Sequence, residues 1–310
     1  MKIYISGSLA YDRIMDFPGK FSDHIFPEKI HILNVCFTVN GMVEKFGGTA
    51  GNIAYSLGLL GEEPRIIAAI GKDYQRYFDW LGQNRIPVDG IRIVEEEFTA
   101  GAYITTDQAD NQITGFNPGA MKHRSGHAFS SDGPADSICI IGPGNLGDMK
   151  EYAALCKKKG IRVICDPGQS LTQWDGEGLR EWLNGSMMLI TNDYELEMVQ
   201  KMTGIDKKRL MGLTGVVITT LGERGSLVSS SSAEFAVPAA KANAVVDPTG
   251  AGDAYRAGLL KGIVSGKDLE TSAKLGAVAA AYAVEKYGTQ EHRFTDQEFR
   301  ERYRCNFGEL

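Results

Sequence analysis

The sequence predicts an α/β protein: a mostly parallel sheet with helices on both faces and a small β lid inserted into that body. Six short apolar runs, KIYISG, RIIAAIG, SICIIG, IRVICD, MMLIT and GVVITT, end at Gly, Asp or Thr. Most alternate with helical stretches such as NIAYSLGLLG and DMKEYAALCKKKG, and that alternation produces parallel sheets buried on both sides. Two segments break the pattern. Residues 14–43 are rich in Phe, Pro and His without helical period, and TAGAYITT and NQITGF flank QAD like the arms of a hairpin. A single domain over 1–310 is expected, with lid segments at about 14–43 and 98–118 inserted in the α/β core.

With 310 residues and 43% hydrophobic content, the chain is long enough to bury a sizeable core. Net charge is -6, and the longest basic run is KKK at Lys157, Lys158 and Lys159, so nucleic acid is not an expected partner. The five cysteines include no C-x-x-C pair, which fits a reduced, cytoplasmic setting. MKIYISGSLA is too short and polar for a signal peptide, and AVAAAYAV is far below membrane-spanning length, so no membrane association is expected.

Ligands of such sheets bind beyond the carboxyl ends of the strands, so the residues that follow each run carry the chemistry. Ser8 and Asp12 follow the first, and a carboxylate there can accept hydrogen bonds from two vicinal sugar hydroxyls. Gly47, Gly48 and Asn52 precede the helix NIAYSLGLL, where a diglycine admits a ligand close to the backbone or merely turns the chain ahead of an N-cap. On the lid arm, Gln112, Thr114 and Phe116 share one face of a strand, and Phe116 is placed to stack on a base or to support the lid. Gly142, Gly144 and Gly147 have G-x-G-x-x-G spacing after a strand, and Asp166 closes the next, a fair dinucleotide fingerprint. Pro143 in the tight turn speaks against it. His123 and His127, four apart with Gly126 between them, have no third ligand close in sequence and do not make a zinc site.

The most specific stretch is VVDPTGAGDAYRAGLL. Gly250, Ala251 and Gly252 stand immediately before an amphipathic helix, so their N–H groups form an anion cradle at its N-terminus. Asp253 beside that cradle is either a first-turn carboxylate or a base. A base next to an oxyanion cradle is what phosphorylation of a hydroxyl requires. An NAD-dependent dehydrogenase would leave the two aspartates of D-P-T-G-A-G-D without a task. A non-catalytic binding protein would not need Asp253, the cradle and Glu195 together.

D-P-T-G-A-G-D with AYRAGLL, GGTAGN and NDYE together resemble the ribokinase-like PfkB family of carbohydrate and nucleoside kinases. Within it, SGSLAYDRIMDFPGKF, GFNPGAM and the closing GTQE are most similar to bacterial adenosine kinases. The resemblance covers the whole chain. It implies a three-layer α/β/α ribokinase-like fold with a β-sheet lid, and ATP-dependent phosphorylation of the 5′-hydroxymethyl of a ribose-containing acceptor, with adenosine first. The runner-up is a sugar kinase acting on ribose or another pentose or hexose.

The same resemblance implies roles for individual residues. Asp253 is the base, and Gly250, Ala251 and Gly252 are the anion hole. Asn192 and Glu195 hold Mg²⁺ through water beside the ATP phosphates, although a bare Asn-x-x-Glu is also a helix cap. Thr220, Gly222 and Gly225 lie against the nucleotide. Asp247 and Thr249 ligate a monovalent cation such as K⁺ in several relatives, or cap the turn. On the acceptor side the implied residues are Ser8, Asp12, Gly47, Gly48, Asn52, Gln112, Phe116 and Gln169. Ala102 departs from the adenosine-kinase pattern, in which an aromatic stands there, so a purine clamp would need Tyr103 or a partner subunit. A homodimer through the β lid is left open.

Overall fold

The computed structural model describes residues 1–109, 111–129 and 133–310. Asp110 of the QAD turn between the lid arms lies outside the described residues. In chain order the strands are β1 (Lys2–Ser6), β2 (Ala10–Asp16), β3 (Met42–Gly47), β4 (Arg65–Gly71), β5 (Ile91–Val94), β6 (Ala100–Thr106) and β7 (Gln112–Asn117). They continue with β8 (Ser137–Ile141), β9 (Arg162–Cys165), β10 (Met188–Asn192), β11 (Val216–Thr220), β12 (Ser226–Ser230) and β13 (Glu234–Val237). Among the described residues they form a nine-stranded sheet, β13-β12-β11-β10-β9-β8-β1-β4-β5, and a four-stranded sheet, β3-β2-β6-β7.

The large sheet is parallel from β5 to β11 and finishes in antiparallel β12 and β13. Its layering follows from strand alternation. Ile3 and Ile5 turn to one face, where Tyr55, Leu57, Leu81 and Leu259 cover them, whereas Tyr4 turns to the other, against Phe129 and Tyr152. Ile5, Tyr55 and Leu57 are each no more than 1% exposed. The expected three-layer α/β/α ribokinase-like architecture is what the chain adopts. Strand β1 has β8 on one side and β4 on the other, so the strand order reverses there and a crevice opens beyond the strand ends.

The small sheet is the expected lid, but its strands reach further than residues 14–43: β2 starts at Ala10 and β3 ends at Gly47. Asp12 and Gly47 therefore sit on the lid itself. Strands β6 and β7 pair antiparallel, β2 pairs β3 antiparallel, and β2 pairs β6 in parallel. One face is tied to the body. Tyr11 donates to the Asp73 carbonyl at 3.0 Å, and Arg13 is held by Glu44 at 2.8 Å and reaches Asp73 at 3.5 Å. Among the described residues no helix is long and apolar enough to cross a membrane.

Candidate active site

Gly250 adopts φ 78°, a left-handed conformation that glycine enters without penalty, and it caps the helix Ala251–Val264. The first N–H groups of a helix have no intrahelical acceptor, and the dipole adds partial positive charge there. One correction to the expected cradle concerns Ala251, whose N–H donates to the Pro248 carbonyl at 3.2 Å. Among the described residues the N–H groups of Gly250 and Gly252, beside Asp253, have no backbone acceptor.

Asp253 stands in that first turn with one carboxylate oxygen accepting from Asn52 Nδ2 at 2.8 Å. Burial pushes its pKa up to about 6, opposed by the nearby Arg256 guanidinium and the Asn52 hydrogen bond and reinforced by the carboxylates of Asp166 and Glu195. Arg256, one turn further on, is itself buried. It forms a two-pronged pair with Asp166, 2.7 Å on the Nη2 side, and donates to the Gly252 carbonyl at 2.9 Å. Sequence reasoning missed this pair. The available signal was an Arg on the helix and an Asp closing β9, both at the carboxyl end of the sheet.

These groups border a cleft of about 330 Å³ lined also by Thr49, Gln169, Asn192, Glu195, Thr220 and Gly222. Asn192 caps the helix Asp193–Thr203 in a reciprocal capping box: its side chain accepts from the Glu195 N–H at 2.7 Å, and Glu195 accepts from the Asn192 N–H at 2.9 Å. Burial raises the Glu195 carboxyl above its ordinary range. The T-x-G-x-x-G residues form the tight connection between antiparallel β11 and β12. Gly222 and Gly225 are both at positive φ, and Gly225 is packed against the chain after β13 rather than on the cleft wall. Gln169 is exposed on the same cleft as Asn192 and Glu195, not on the lid. Asp247 has both oxygens engaged by backbone donors, Thr249 at 2.9 Å and Gly288 at 3.0 Å, and thereby closes the turn. Thr249 is exposed.

The other acceptor-side residues lie on the lid and at its root, where Asn52 reaches the cleft through Asp253. Ser8 is buried and its hydroxyl accepts from the Thr49 N–H at 3.1 Å. Gly48, at φ 90°, precedes the helix Thr49–Leu59, and Asn52 is not its cap but points to Asp253. A Cβ on Gly47 would sit 2.5 Å from Asp12 Oδ2, so the Asp12 carboxylate lies directly over that residue. Burial, and then the Asp247 charge, raise the Asp12 pKa, and among the described residues no side chain or N–H hydrogen-bonds it.

Pairing places Asp12 opposite Ala102 and Ala102 opposite Phe116, so the three share one row on one face of the lid. Ile14, Ile104 and Thr114 form the neighbouring row on that face. Phe116 is 54% exposed, and Gln112 and Thr114 are exposed with it. Tyr103 does not compensate for Ala102. It lies on the opposite face, where its hydroxyl accepts from Arg13 at 3.0 Å.

The dinucleotide reading fails on its acid. Asp166 is consumed by Arg256, and a Cβ at Gly147 would meet the Arg124 side chain at 2.6 Å, which gives that glycine a packing reason. His123 pairs with Glu97, and His127 packs among Tyr4 and Phe129.

Known relatives of the chain agree with this geometry. Residues 20–295 match the model of the pfkB family carbohydrate kinases. The nucleoside kinase of Methanocaldococcus jannaschii is 32% identical over 294 residues, covering 93% of this chain and 92% of that one. The solved nucleoside kinase of Burkholderia thailandensis in complex with inosine is 36% identical with a TM-score of 0.87, over 99% of this chain and 98% of that one. Arabidopsis thaliana ribokinase complexed with ribose and ATP, at 18% identity and a TM-score of 0.79, shares the fold. Strand order, the glycine turn before Asp253 and the extent of the match lead to one conclusion: the chain belongs to the pfkB family of carbohydrate kinases.

Proposed function

We propose that this kinase transfers the γ-phosphoryl group of ATP to the 5′-hydroxyl of a nucleoside, with adenosine among its acceptors. The observation that carries the nucleoside reading is the lid row. A partly buried carboxylate without a hydrogen-bond donor, Asp12, shares a face with an open shelf of Ala102, Phe116 and Ile104. Vicinal ribose hydroxyls would supply the two missing donors, and a planar base would cover the apolar shelf. The relative solved with inosine, and a second structure of the same protein with ADP-inosine, support this reading.

In the reaction so read, Asp253 accepts the proton of the 5′-hydroxyl as its oxygen bonds to the γ-phosphorus, and the bond to the β–γ bridging oxygen breaks to release ADP. A carboxylate at about 6 is mostly ionised at neutral pH yet more basic than an ordinary aspartate, which suits a general base. The N–H groups of Gly250 and Gly252, with the helix dipole behind them, stabilise charge on the transferred group. Thr220 and Gly222 lie against the nucleotide, Gly225 supports their turn from behind, and Gln169 sits beside the phosphate end of the cleft. Mg²⁺ would neutralise phosphate charge. Asn192 and Glu195 suit it through water rather than directly, since the Asn192 carbonyl and one Glu195 oxygen are spent in the capping box. A K⁺ site at Asp247 and Thr249 would use the lone pairs that the two backbone donors leave on the Asp247 carboxylate.

The test is kcat/KM with ATP for adenosine, inosine, cytidine and free ribose. Nucleosides should exceed ribose by at least tenfold. A preference for ribose would move the protein to the sugar-kinase branch, and phosphorylation of none of them would leave a ligand-binding protein.

A further inference from the structure

We infer that Gln290, from the closing GTQE segment, is a positioning residue: it sets the amide of Asn52 so that a donor rather than an acceptor faces Asp253. The inference rests on the reading of Asp253 as the base. Gln290 is 2% exposed and lines no part of the cleft.

The polarity of the chain of bonds follows from groups that have no choice. An indole N–H only donates, so the 2.8 Å contact from Trp80 Nε1 fixes which end of the Gln290 amide is oxygen. Gln290 Nε2 is then the donor, to Asn52 Oδ1 at 3.0 Å and to the Tyr77 hydroxyl at 2.8 Å. With its oxygen taken, Asn52 has Nδ2 left for Asp253, at 2.8 Å. Tyr77 passes its own proton to the Gly47 carbonyl at 2.8 Å, beneath Asp12, so the chain joins the base to the lid root. Gly51 makes room for it: a Cβ there would lie 2.0 Å from the Tyr77 hydroxyl and 3.0 Å from Gln290 Nε2. The other charged or titratable groups facing Asp253 are Arg256 on its own helix, Asp166 at the end of β9, Glu195 from the helix Asp193–Thr203, and Tyr77. None of them supplies the donor that Asn52 does.

Gln290→Glu inverts this polarity at nearly constant size. The new carboxylate still accepts from Trp80 but has no proton for Asn52. The Asn52 amide then turns to donate to residue 290, and its oxygen faces Asp253. The experiment follows kcat/KM against pH with ATP and a nucleoside, together with a ¹³C NMR titration of the aspartate carboxyls, in wild type, Gln290→Glu and Gln290→Met. The Asp253 midpoint should move from about 6 toward 7. The activity loss should then deepen from about twofold at pH 7 to about fivefold at pH 6, with the KM for ATP unchanged. Should Gln290→Glu not fold, Gln290→Met removes the donor that holds Asn52 Oδ1 without burying a charge or supplying a new acceptor, so the Asp253 midpoint should rise by a smaller step in the same direction. An unmoved carboxyl midpoint in a folded variant overturns the inference. A moved midpoint with an unmoved activity profile would instead overturn the role of Asp253 and leave the positioning intact.

Discussion

Asp253 and Asp12 are both carboxylates raised by burial, but the two ends of the molecule treat them differently. Asp253 is compensated by a donor from Asn52 and a guanidinium from Arg256, each held by further buried groups. Among the described residues Asp12 has neither, and the charge of Asp247 repels it. A buried acceptor left without a donor costs about 1–3 kcal/mol, more for a charged group. The chemical end is thus finished in the absence of substrate, whereas the lid end is held at a cost that an incoming pair of hydroxyls would relieve. In the reading proposed above, the phosphoryl-transfer site is preorganised and the acceptor site is completed by its ligand.

The largest effect belongs to the finished end. Asp253→Asn keeps size and can keep the Asn52 contact but removes the proton acceptor, so kcat should fall by about 10²–10⁴-fold with ATP binding little changed. The same substitution should stabilise the fold at neutral pH. A carboxyl whose folded pKa lies above its unfolded value favours folding below about 4, and that contribution is lost as pH rises through about 6. Removing the charge should therefore recover up to about 3 kcal/mol at pH 7, visible as a higher Tm. An active Asp253→Asn enzyme, or one that melts earlier, would break the comparison at its stronger side.

The lid end responds to the substrate as much as to mutation. A site waiting to bond two hydroxyls discriminates against an acceptor lacking one, so 2′-deoxyadenosine should lose about 10–100-fold in kcat/KM against adenosine. Asp12→Asn should narrow that ratio, because the amide no longer leaves a bare charge unpaired. Equal use of both nucleosides by wild type would show that Asp12 is occupied otherwise.

The contrast also explains what the sequence made legible. The strands, the parallel sheet and the glycine turn before Asp253 are local in sequence: apolar runs, a left-handed glycine and a first-turn acid each leave a mark within a few residues. The lid was visible as a break in periodicity, but its edges were not. Residues 10–13 follow closely on the first apolar run and its Gly7, so Asp12 read as a residue beyond that strand's end rather than as part of a lid strand. Pairings between distant segments were invisible. Asp166 with Arg256, and Gln290 with Asn52 and Trp80, join residues 90, 238 and 210 positions apart, and no spacing rule connects them. Ala102 carried a hint in its departure from the family pattern, and strand register gave the hint its meaning, because it places that alanine between Asp12 and Phe116.

A smaller effect separates base from sugar. Phe116 has no ring partner among the described residues and is more than half exposed, so its truncation should cost little stability. If it stacks on a nucleobase, Phe116→Ala should weaken nucleoside use by about 1–2 kcal/mol in kcat/KM and leave ribose unaffected. Equal losses for both acceptors would assign it to support of the lid.

The smallest effect tests whether Glu195 does more than cap its helix. A capping box accepts Gln in place of Glu at its third position, since a side-chain carbonyl can still receive the Asn192 N–H. Glu195→Gln should therefore leave the Tm within about 1 °C while deleting a negative charge from the cleft wall. If that charge orders waters around Mg²⁺, the Mg²⁺ concentration for half-maximal rate should rise several-fold, because a water-mediated site depends on charge more than on geometry. The loss of the Glu195 charge also removes one of the carboxylates that raise Asp253, so the acid limb of the pH profile should move slightly downward. A Mg²⁺ requirement unchanged in this variant would leave Glu195 as a helix cap alone. A shift in Mg²⁺ dependence at constant Tm would place the metal on the finished side of the molecule, beside the base and away from the lid.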